Sequence, residues 1–143
     1  MIRFAFTHLV PFQPMSFRVY LWFGSLLLLA SCSKQSVITY RMKNIASDSI
    51  DVIRTRIDGS NRIDTIQIGY NQQVTIAVST EGGDHVSKYR ESGEKLRRFT
   101  RIDVYRNHTL ISRTNFLLSS RWAYRELGRH AADYEAVVTD ADF

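Results

Sequence analysis

The stretch Val37-Ile38-Thr39-Tyr40-Arg41-Met42-Lys43 alternates strictly between two kinds of side chain. The even positions from Ile38 to Met42 are apolar, and the odd positions from Thr39 to Lys43 are polar or charged. Successive side chains of a β-strand point to opposite faces, so this period of two predicts a strand with one face buried and one exposed.

Similar patterns recur along the rest of the chain. β-branched and alternating apolar residues indicate further strands over 50–57, 62–70, 73–79, 99–106, 110–118 and 134–139. Short turns separate the first four strands, the strongest being Asp58-Gly59-Ser60-Asn61, and we expect these strands to pair in chain order as an antiparallel meander. Residues 119–132 fit a strand or an amphipathic helix; we predict a strand through Trp122 followed by a short turn.

About seven short strands in about 110 residues predict an all-β fold. We expect a small antiparallel β-sandwich of the immunoglobulin- or transthyretin-like type, with a small β-barrel as the alternative. The chain has no Cys–Trp–Cys pattern, which argues against a true immunoglobulin domain. Trp122 is expected to fill the core between the sheets, and residues 140–143 are expected to be a terminal tail.

An apolar run precedes the predicted strands. Arg18 is followed by twelve residues, 19–30, that are broken only by Gly24 and Ser25, and the run ends in Leu29-Ala30-Ser31-Cys32. This end resembles the lipobox of bacterial lipoproteins, in which a leucine and two small residues precede the cysteine that receives the lipid. The resemblance implies that residues 1–31 are a helical signal segment, removed on export, and that Cys32 becomes the lipidated N-terminus.

Two other interpretations of the run remain open: a transmembrane anchor, and an ordinary signal peptide with an incidental cysteine. The run is shorter than the roughly 20 apolar residues that cross a bilayer, which favours the lipoprotein. Met15 followed by Arg18 and the apolar run would be a complete signal by itself, and we hypothesise that translation begins at Met15.

The lipobox divides the chain into a signal over 1–31, a lipidated cysteine and tether over 32–36, and a β-sandwich domain over 37–143. Cys32 is the only cysteine, so the mature domain has no disulfide. Its net charge of +3 is too small to indicate a nucleic-acid partner. Ser33 stands where an aspartate would signal retention at the inner membrane, which favours the outer membrane.

The segment 81–98, EGGDHVSKYRESGEKLRR, interrupts the strand pattern and predicts an exposed loop. Its basic residues are interleaved with glutamates, a mixture typical of a solvated surface. The sharper interpretation is a contact with anionic headgroups or polysaccharide. The candidate binding residues are Lys88, Arg90, Lys95, Arg97 and Arg98. Trp122 and Tyr124, with Tyr89, are a candidate aromatic platform for sugar, although such aromatic residues more often fill a core.

Asp84 and His85 are the remaining candidates for chemistry, as a metal site or an acid–base pair. The chain has none of the spacings HxH, HExxH, CxxC or GxSxG, so we predict no catalytic residue, metal ligand or cofactor. The expected function is non-enzymatic binding or scaffolding in the cell envelope. The expected partners are the bilayer, through acylated Cys32, and an envelope protein or polysaccharide. The alternative is an envelope enzyme or metal-binding protein that uses the Asp84/His85 loop.

The C-terminal sequence YEAVVTDADF, over 134–143, follows a late tryptophan, Trp122. Together with the lipobox signal, this arrangement resembles small lipoproteins of Bacteroidota that carry an uncharacterised β domain. The resemblance implies lipidation at Cys32 and an all-β domain, and it transfers no catalytic residue.

Overall fold

The described part of the chain is built almost entirely from β-strands. The computed structural model describes residues 34–57 and 62–143. Its eight strands are β1 (Gln35–Asn44), β2 (Ile50–Arg56), β3 (Ile63–Ile68), β4 (Gln73–Gly82), β5 (Phe99–Arg106), β6 (Leu110–Ile111), β7 (Ala123–Gly128) and β8 (Ala131–Val138). Short 3₁₀ turns cover Val86–Tyr89, Ser119–Arg121 and Asp140–Asp142.

The strands form two four-stranded sheets that pack as a sandwich. Sheet A has the order β4-β1-β8-β7, and sheet B has the order β3-β2-β5-β6. The predicted all-β sandwich is therefore confirmed, with eight strands rather than about seven. It is not wholly antiparallel, because β1 and β8 pair in parallel.

The predicted meander of the first four strands is wrong. β1 pairs with β4 and β8, and β2 pairs with β3 and β5. Only β2 and β3 pair as the meander required. The alternating pattern tells which face of each strand is buried, but it carries no information about the neighbouring strand. The connections from β1 to β2 and from β3 to β4 pass between the sheets instead of turning back within one.

The core lies between the inner faces of the two sheets. From β1 it receives Ile38, Tyr40 and Met42, all nearly inaccessible to solvent, as the period of two predicts. Trp122 is 6 % exposed, and its indole Nε1 donates a hydrogen bond of 2.8 Å to the Phe116 carbonyl oxygen. The prediction that Trp122 fills the core is confirmed, and its one polar atom has a partner, as a buried indole requires.

Residues 110–132 differ from the prediction. β6 is limited to Leu110–Ile111, the turn Ser119–Arg121 replaces the predicted strand before Trp122, and β7 begins after it. The Ser112 amide, directly after β6, still donates a hydrogen bond to the Val104 carbonyl oxygen of β5. The Ser112 hydroxyl, however, donates to the Asp142 carbonyl oxygen at 3.0 Å, near the C-terminus. A competing partner at the C-terminus therefore ends the hairpin early.

The predicted terminal tail is also wrong, because the last residues are ordered and buried. Asp142 accepts hydrogen bonds from the Thr139 amide at 2.8 Å and from the Thr114 hydroxyl at 2.6 Å, and it pairs with Arg121 at 2.9 Å. Phe143 is 8 % exposed, with the Arg106 guanidinium 4.4 Å from its ring centroid. A capping box and an apolar final residue fasten this end to the sandwich.

Several predictions lie outside the described residues: the signal segment over 1–31, the start at Met15, Cys32 itself and the turn over 58–61. A division of the chain into two units falls directly after Cys32. None of the helical segments in the described ranges 34–57 and 62–143 has the length and apolar character needed to cross a membrane.

Candidate ligand-binding site

The connection between β4 and β5, residues 83–98, lies over a cavity of about 270 Å³. Two strands of sheet A, β1 and β4, contribute to its wall together with Ile57, which directly follows β2, and the connection contributes the rest. The lining residues are Ile38, Tyr40, Ile57, Glu81, Lys88, Tyr89, Glu91, Arg97 and Arg98.

Two buried apolar side chains hold this connection against the sandwich. Val86 is inaccessible and Leu96 is 2 % exposed. Their amides are also paired, since Val86 donates to the Arg129 carbonyl oxygen at 2.8 Å and Leu96 to that of Leu117 at 2.9 Å. The segment is therefore anchored at two points, whereas the sequence predicted an exposed loop.

The innermost polar contact of the cavity joins Tyr40 to Glu91. The Tyr40 hydroxyl donates a hydrogen bond of 3.1 Å to Glu91 Oε1, which also accepts one of 3.2 Å from the Arg97 amide. The Glu91 side chain is only 4 % exposed. Its second oxygen, Oε2, is buried and receives no hydrogen bond from the described residues; the nearest cation is Arg97, whose Nε lies 3.7 Å away.

Aromatic packing fixes the position of the Tyr40 hydroxyl. The Tyr40 ring stacks on that of Tyr134 with centroids 5.2 Å apart, and it meets Phe99 and Trp122 edge-on at 5.3 and 6.1 Å. The Tyr134 hydroxyl in turn accepts a hydrogen bond from the Glu91 amide. Two core tyrosines therefore determine where Glu91 lies.

Burial determines the protonation of these tyrosines. Burial, reinforced by the charge of Glu91 and the hydrogen bond to it, raises the pKa of Tyr40 far above its ordinary value of 10.0. Burial also raises the pKa of Tyr134. Both hydroxyls stay protonated at neutral pH, so Tyr40 acts as a hydrogen-bond donor to the carboxylate.

The rest of the cavity wall carries a small excess of positive charge. Arg98 forms an ion pair with Glu81, which also accepts a hydrogen bond of 2.8 Å from the Ser79 hydroxyl. Arg97 faces Glu91, as described above. Lys88 forms no ion pair with any carboxylate of the described residues. Three cations therefore face two carboxylates.

A smaller space of about 60 Å³ adjoins the cavity. It shares Tyr40, Ile57 and Arg98 with the cavity, and it adds Arg56. Arg56 lies in phase with Ile50 and Val52 on β2, so it points toward the interior of the sandwich. The core-facing side of β2 changes from isoleucine and valine to arginine where the cavity begins.

The structure brings together three of the five basic residues predicted to bind. Lys88, Arg97 and Arg98 line the cavity, whereas Arg90 and Lys95 do not. The Arg90 guanidinium lies 5.1 Å from the centroid of the Tyr124 ring, and Lys95 is exposed in an isolated bridge with Leu118.

Of the predicted aromatic platform, Tyr89 lines the cavity and Tyr124 does not, whereas Trp122 lies behind Tyr40 in the core. Tyr40, Glu81 and Glu91 also line the cavity and were not predicted from the sequence. One signal was available for the first of these, since a tyrosine on the core-facing side of a strand needs a partner for its hydroxyl.

Asp84 and His85 lie beside the cavity and make local contacts. Asp84 faces Lys34 at 3.8 Å, and both side chains are largely exposed. His85 precedes the turn Val86–Tyr89, and its Nδ1 lies 2.8 Å from the Ser87 hydroxyl. Within 34–57 and 62–143, no three His, Cys, Asp or Glu side chains are grouped as metal ligands would be.

Searches for similar proteins give no relative from which to transfer a function. No protein-family model, curated protein or solved structure matches the chain. The residues of the cavity therefore carry the functional argument alone.

Proposed function

We propose that this protein is a lipid-anchored protein of the bacterial cell envelope that binds a small polar ligand in the cavity beneath residues 83–98 and does not act on it chemically. One observation carries the proposal: the buried Glu91 carboxylate lines this cavity and has an oxygen that receives no hydrogen bond from the described residues. Burying a carboxylate without its full set of donors is costly, and such groups concentrate at functional sites.

The design of the site favours binding over catalysis. The Tyr40 hydroxyl stays protonated and donates to Glu91, so it is a fixed hydrogen-bonding group rather than a nucleophile or a base. The two groups that a hydrolytic or metal-dependent mechanism would use first, Asp84 and His85, are engaged in local contacts outside the cavity wall.

The anchor is the second part of the proposal and rests on the sequence Leu29-Ala30-Ser31-Cys32. Lipid on Cys32 would hold the site close to the bilayer, because only Ser33 and Lys34 separate Cys32 from β1. The six peptide units from Cys32 to Ile38, which lines the cavity, span at most about 20 Å. With Ser33 following the lipidated cysteine, we propose the outer membrane as the location.

A ligand-retention experiment tests the binding part of the proposal. The full-length protein, extracted from membranes in detergent, is incubated with the small-molecule fraction of a bacterial envelope, washed and denatured, and the released molecules are identified by mass spectrometry. We expect a molecule that the wild-type protein and Glu94→Gln retain and Glu91→Gln loses. Glu94 is an exposed glutamate of the same segment outside the cavity wall, and it is therefore the matched control. Equal retention by all three proteins, or none by any, would contradict the proposal.

A further inference from the structure

The volume of the cavity limits the ligand to a small molecule. Pockets for drug-sized ligands are about 300–1,000 Å³, whereas this cavity holds about 270 Å³. The cavity can hold a ligand of one ring, or one ring of a longer chain that enters it.

The charges of the wall favour a ligand with a single negative charge. Glu81 and Glu91 each face an arginine, and Lys88 is the cation left over. An anion beside Lys88 would complete the balance of three cations with three negative charges. A dianion would leave the cavity with an excess of negative charge. A cation would be repelled by Lys88, and the wall has no third carboxylate to offset that repulsion.

Glu91 adds a requirement for a hydrogen-bond donor. Arg97 already supplies a positive charge 3.7 Å from Oε2, so the Glu91 carboxylate has a countercharge. What Oε2 lacks is a hydrogen-bond donor. Because the Arg97 side chain is 71 % exposed, it can move aside for a ligand. A neutral hydroxyl satisfies Oε2 without placing a second cation against Arg97.

Tyr89 offers an aromatic surface on the same wall. Its hydroxyl donates to the Gly82 carbonyl oxygen, which fixes the ring. A Cβ atom at Gly83 would lie 2.5 Å from the Tyr89 hydroxyl oxygen, so a larger residue there would force the Tyr89 side chain to shift. The C–H face of a sugar ring packs well against such a surface.

Building on the proposed function, we propose that the cavity binds one acidic sugar unit. Its carboxylate would lie at Lys88, one of its hydroxyls would donate to Glu91, and its ring would pack against Tyr89. The unit could come from a polysaccharide or from the headgroup of a glycolipid, since both present the same chemistry near the bilayer.

Calorimetric titration of the full-length protein in detergent tests this assignment. The probes are sodium glucuronate, glucose as its neutral counterpart, glucosamine as the cationic one and glycine as a zwitterion without a ring. We expect glucuronate to bind about tenfold more tightly than glucose, and glucosamine and glycine not to bind measurably, because one charged contact contributes roughly that factor.

Two pairs of variants locate the contacts. Lys88→Gln should weaken glucuronate about tenfold and leave glucose unchanged, whereas Lys95→Gln, an exposed lysine outside the wall, should change neither. Glu91→Gln should weaken both sugars, and Glu94→Gln neither. Both lysines are on the surface, so folding does not confound the Lys88 comparison.

Each contrary result has a distinct meaning. Glycine or glucosamine binding more tightly than glucuronate, or glucuronate binding that Lys88→Gln and Glu91→Gln leave unchanged, would overturn the acidic-sugar assignment. If glucuronate fails to bind but the retention experiment still yields a molecule that depends on Glu91, the assignment is wrong and the proposed function stands. Titration with a glucuronate oligomer and with vesicles carrying a glucuronosyl lipid distinguishes the two sources.

Discussion

Replacing Tyr40 with phenylalanine isolates the hydrogen bond that holds the Glu91 carboxylate in place. The ring and its packing against Phe99, Trp122 and Tyr134 remain, and only the hydroxyl oxygen is lost. Tyr40 is 1 % exposed, so the substitution removes a buried donor to Glu91 and leaves the surface of the protein unchanged.

The expected cost follows from the type of bond that is lost. A hydrogen bond to a charged group contributes roughly 1.5–3 kcal/mol. Glu91 Oε1 keeps one donor, the Arg97 amide at 3.2 Å, so we expect Tyr40→Phe to lower the free energy of unfolding by about 2 kcal/mol. For a domain of this size, that change lowers the thermal midpoint by about 8 °C.

Urea unfolding of the wild type and the variant, followed by tryptophan fluorescence, measures this difference. Tyr70→Phe is the matched control, because Tyr70 is 66 % exposed and its hydroxyl has no hydrogen-bond partner among the described residues. We expect it to change stability by less than about 0.5 kcal/mol. If Tyr40→Phe is equally neutral, the Tyr40–Glu91 bond does not hold the carboxylate, and the account of the site is wrong.

Two further predictions concern pH and the C-terminus. Burial lifts the pKa of Tyr134 and of Tyr124, the latter to about 12, and unfolded tyrosines titrate near pH 10. Their contribution to stability is therefore complete below pH 10 and lost as the pH rises toward 12; an unchanged urea midpoint from pH 9 to pH 12 would refute this. Burial disfavours the ionised form of Asp142, but hydrogen bonds from Thr114 and Thr139 and the charge of Arg121 outweigh this effect and lower the pKa of Asp142. The contribution of Asp142 to stability is therefore present above about pH 4 and lost as the pH falls further. Asp142→Asn should cost about 2 kcal/mol at pH 7 and much less at pH 2.5, by urea unfolding at both pH values; an equal cost at both would count against an ionised Asp142.

The sequence was sufficient to predict the class of the fold but not the pairing of its strands. Alternation such as that of Ile38, Tyr40 and Met42 reflects burial of one face, which any two-layer β structure imposes. The neighbours of β1 depend on how the chain crosses between sheets, and β8 lies about 90 residues away in the sequence. No local pattern encodes a contact at that separation.

The same reasoning explains how much of the candidate site could be predicted. The basic residues Lys88, Arg97 and Arg98 stand out by composition, and the structure places them on one cavity wall. Tyr40 and Glu91 are 51 positions apart, and only the folding of the segment over the sandwich brings them together. Arg56 could have been found, because its phase on β2 is that of Ile50 and Val52.

The C-terminus was predicted wrongly for a different reason. Asp140-Ala141-Asp142-Phe143 has the composition of a solvated tail. Asp142 is buried because Thr114, Thr139 and Arg121 converge on it, and two of these three lie in other parts of the chain. The composition of a segment indicates whether water would solvate it, but partners from distant segments decide whether it is buried in the fold.

The measurement that tests the central claim most directly is the intact mass of the protein from the membrane fraction, beside that of Cys32→Ser. The account predicts a wild-type species that begins at Cys32 and carries added acyl mass, and a Cys32→Ser protein that lacks the acyl mass and leaves the membrane fraction. An unmodified, soluble wild-type species would contradict the lipid anchor, and the cavity would then belong to a free protein rather than to one held at the bilayer.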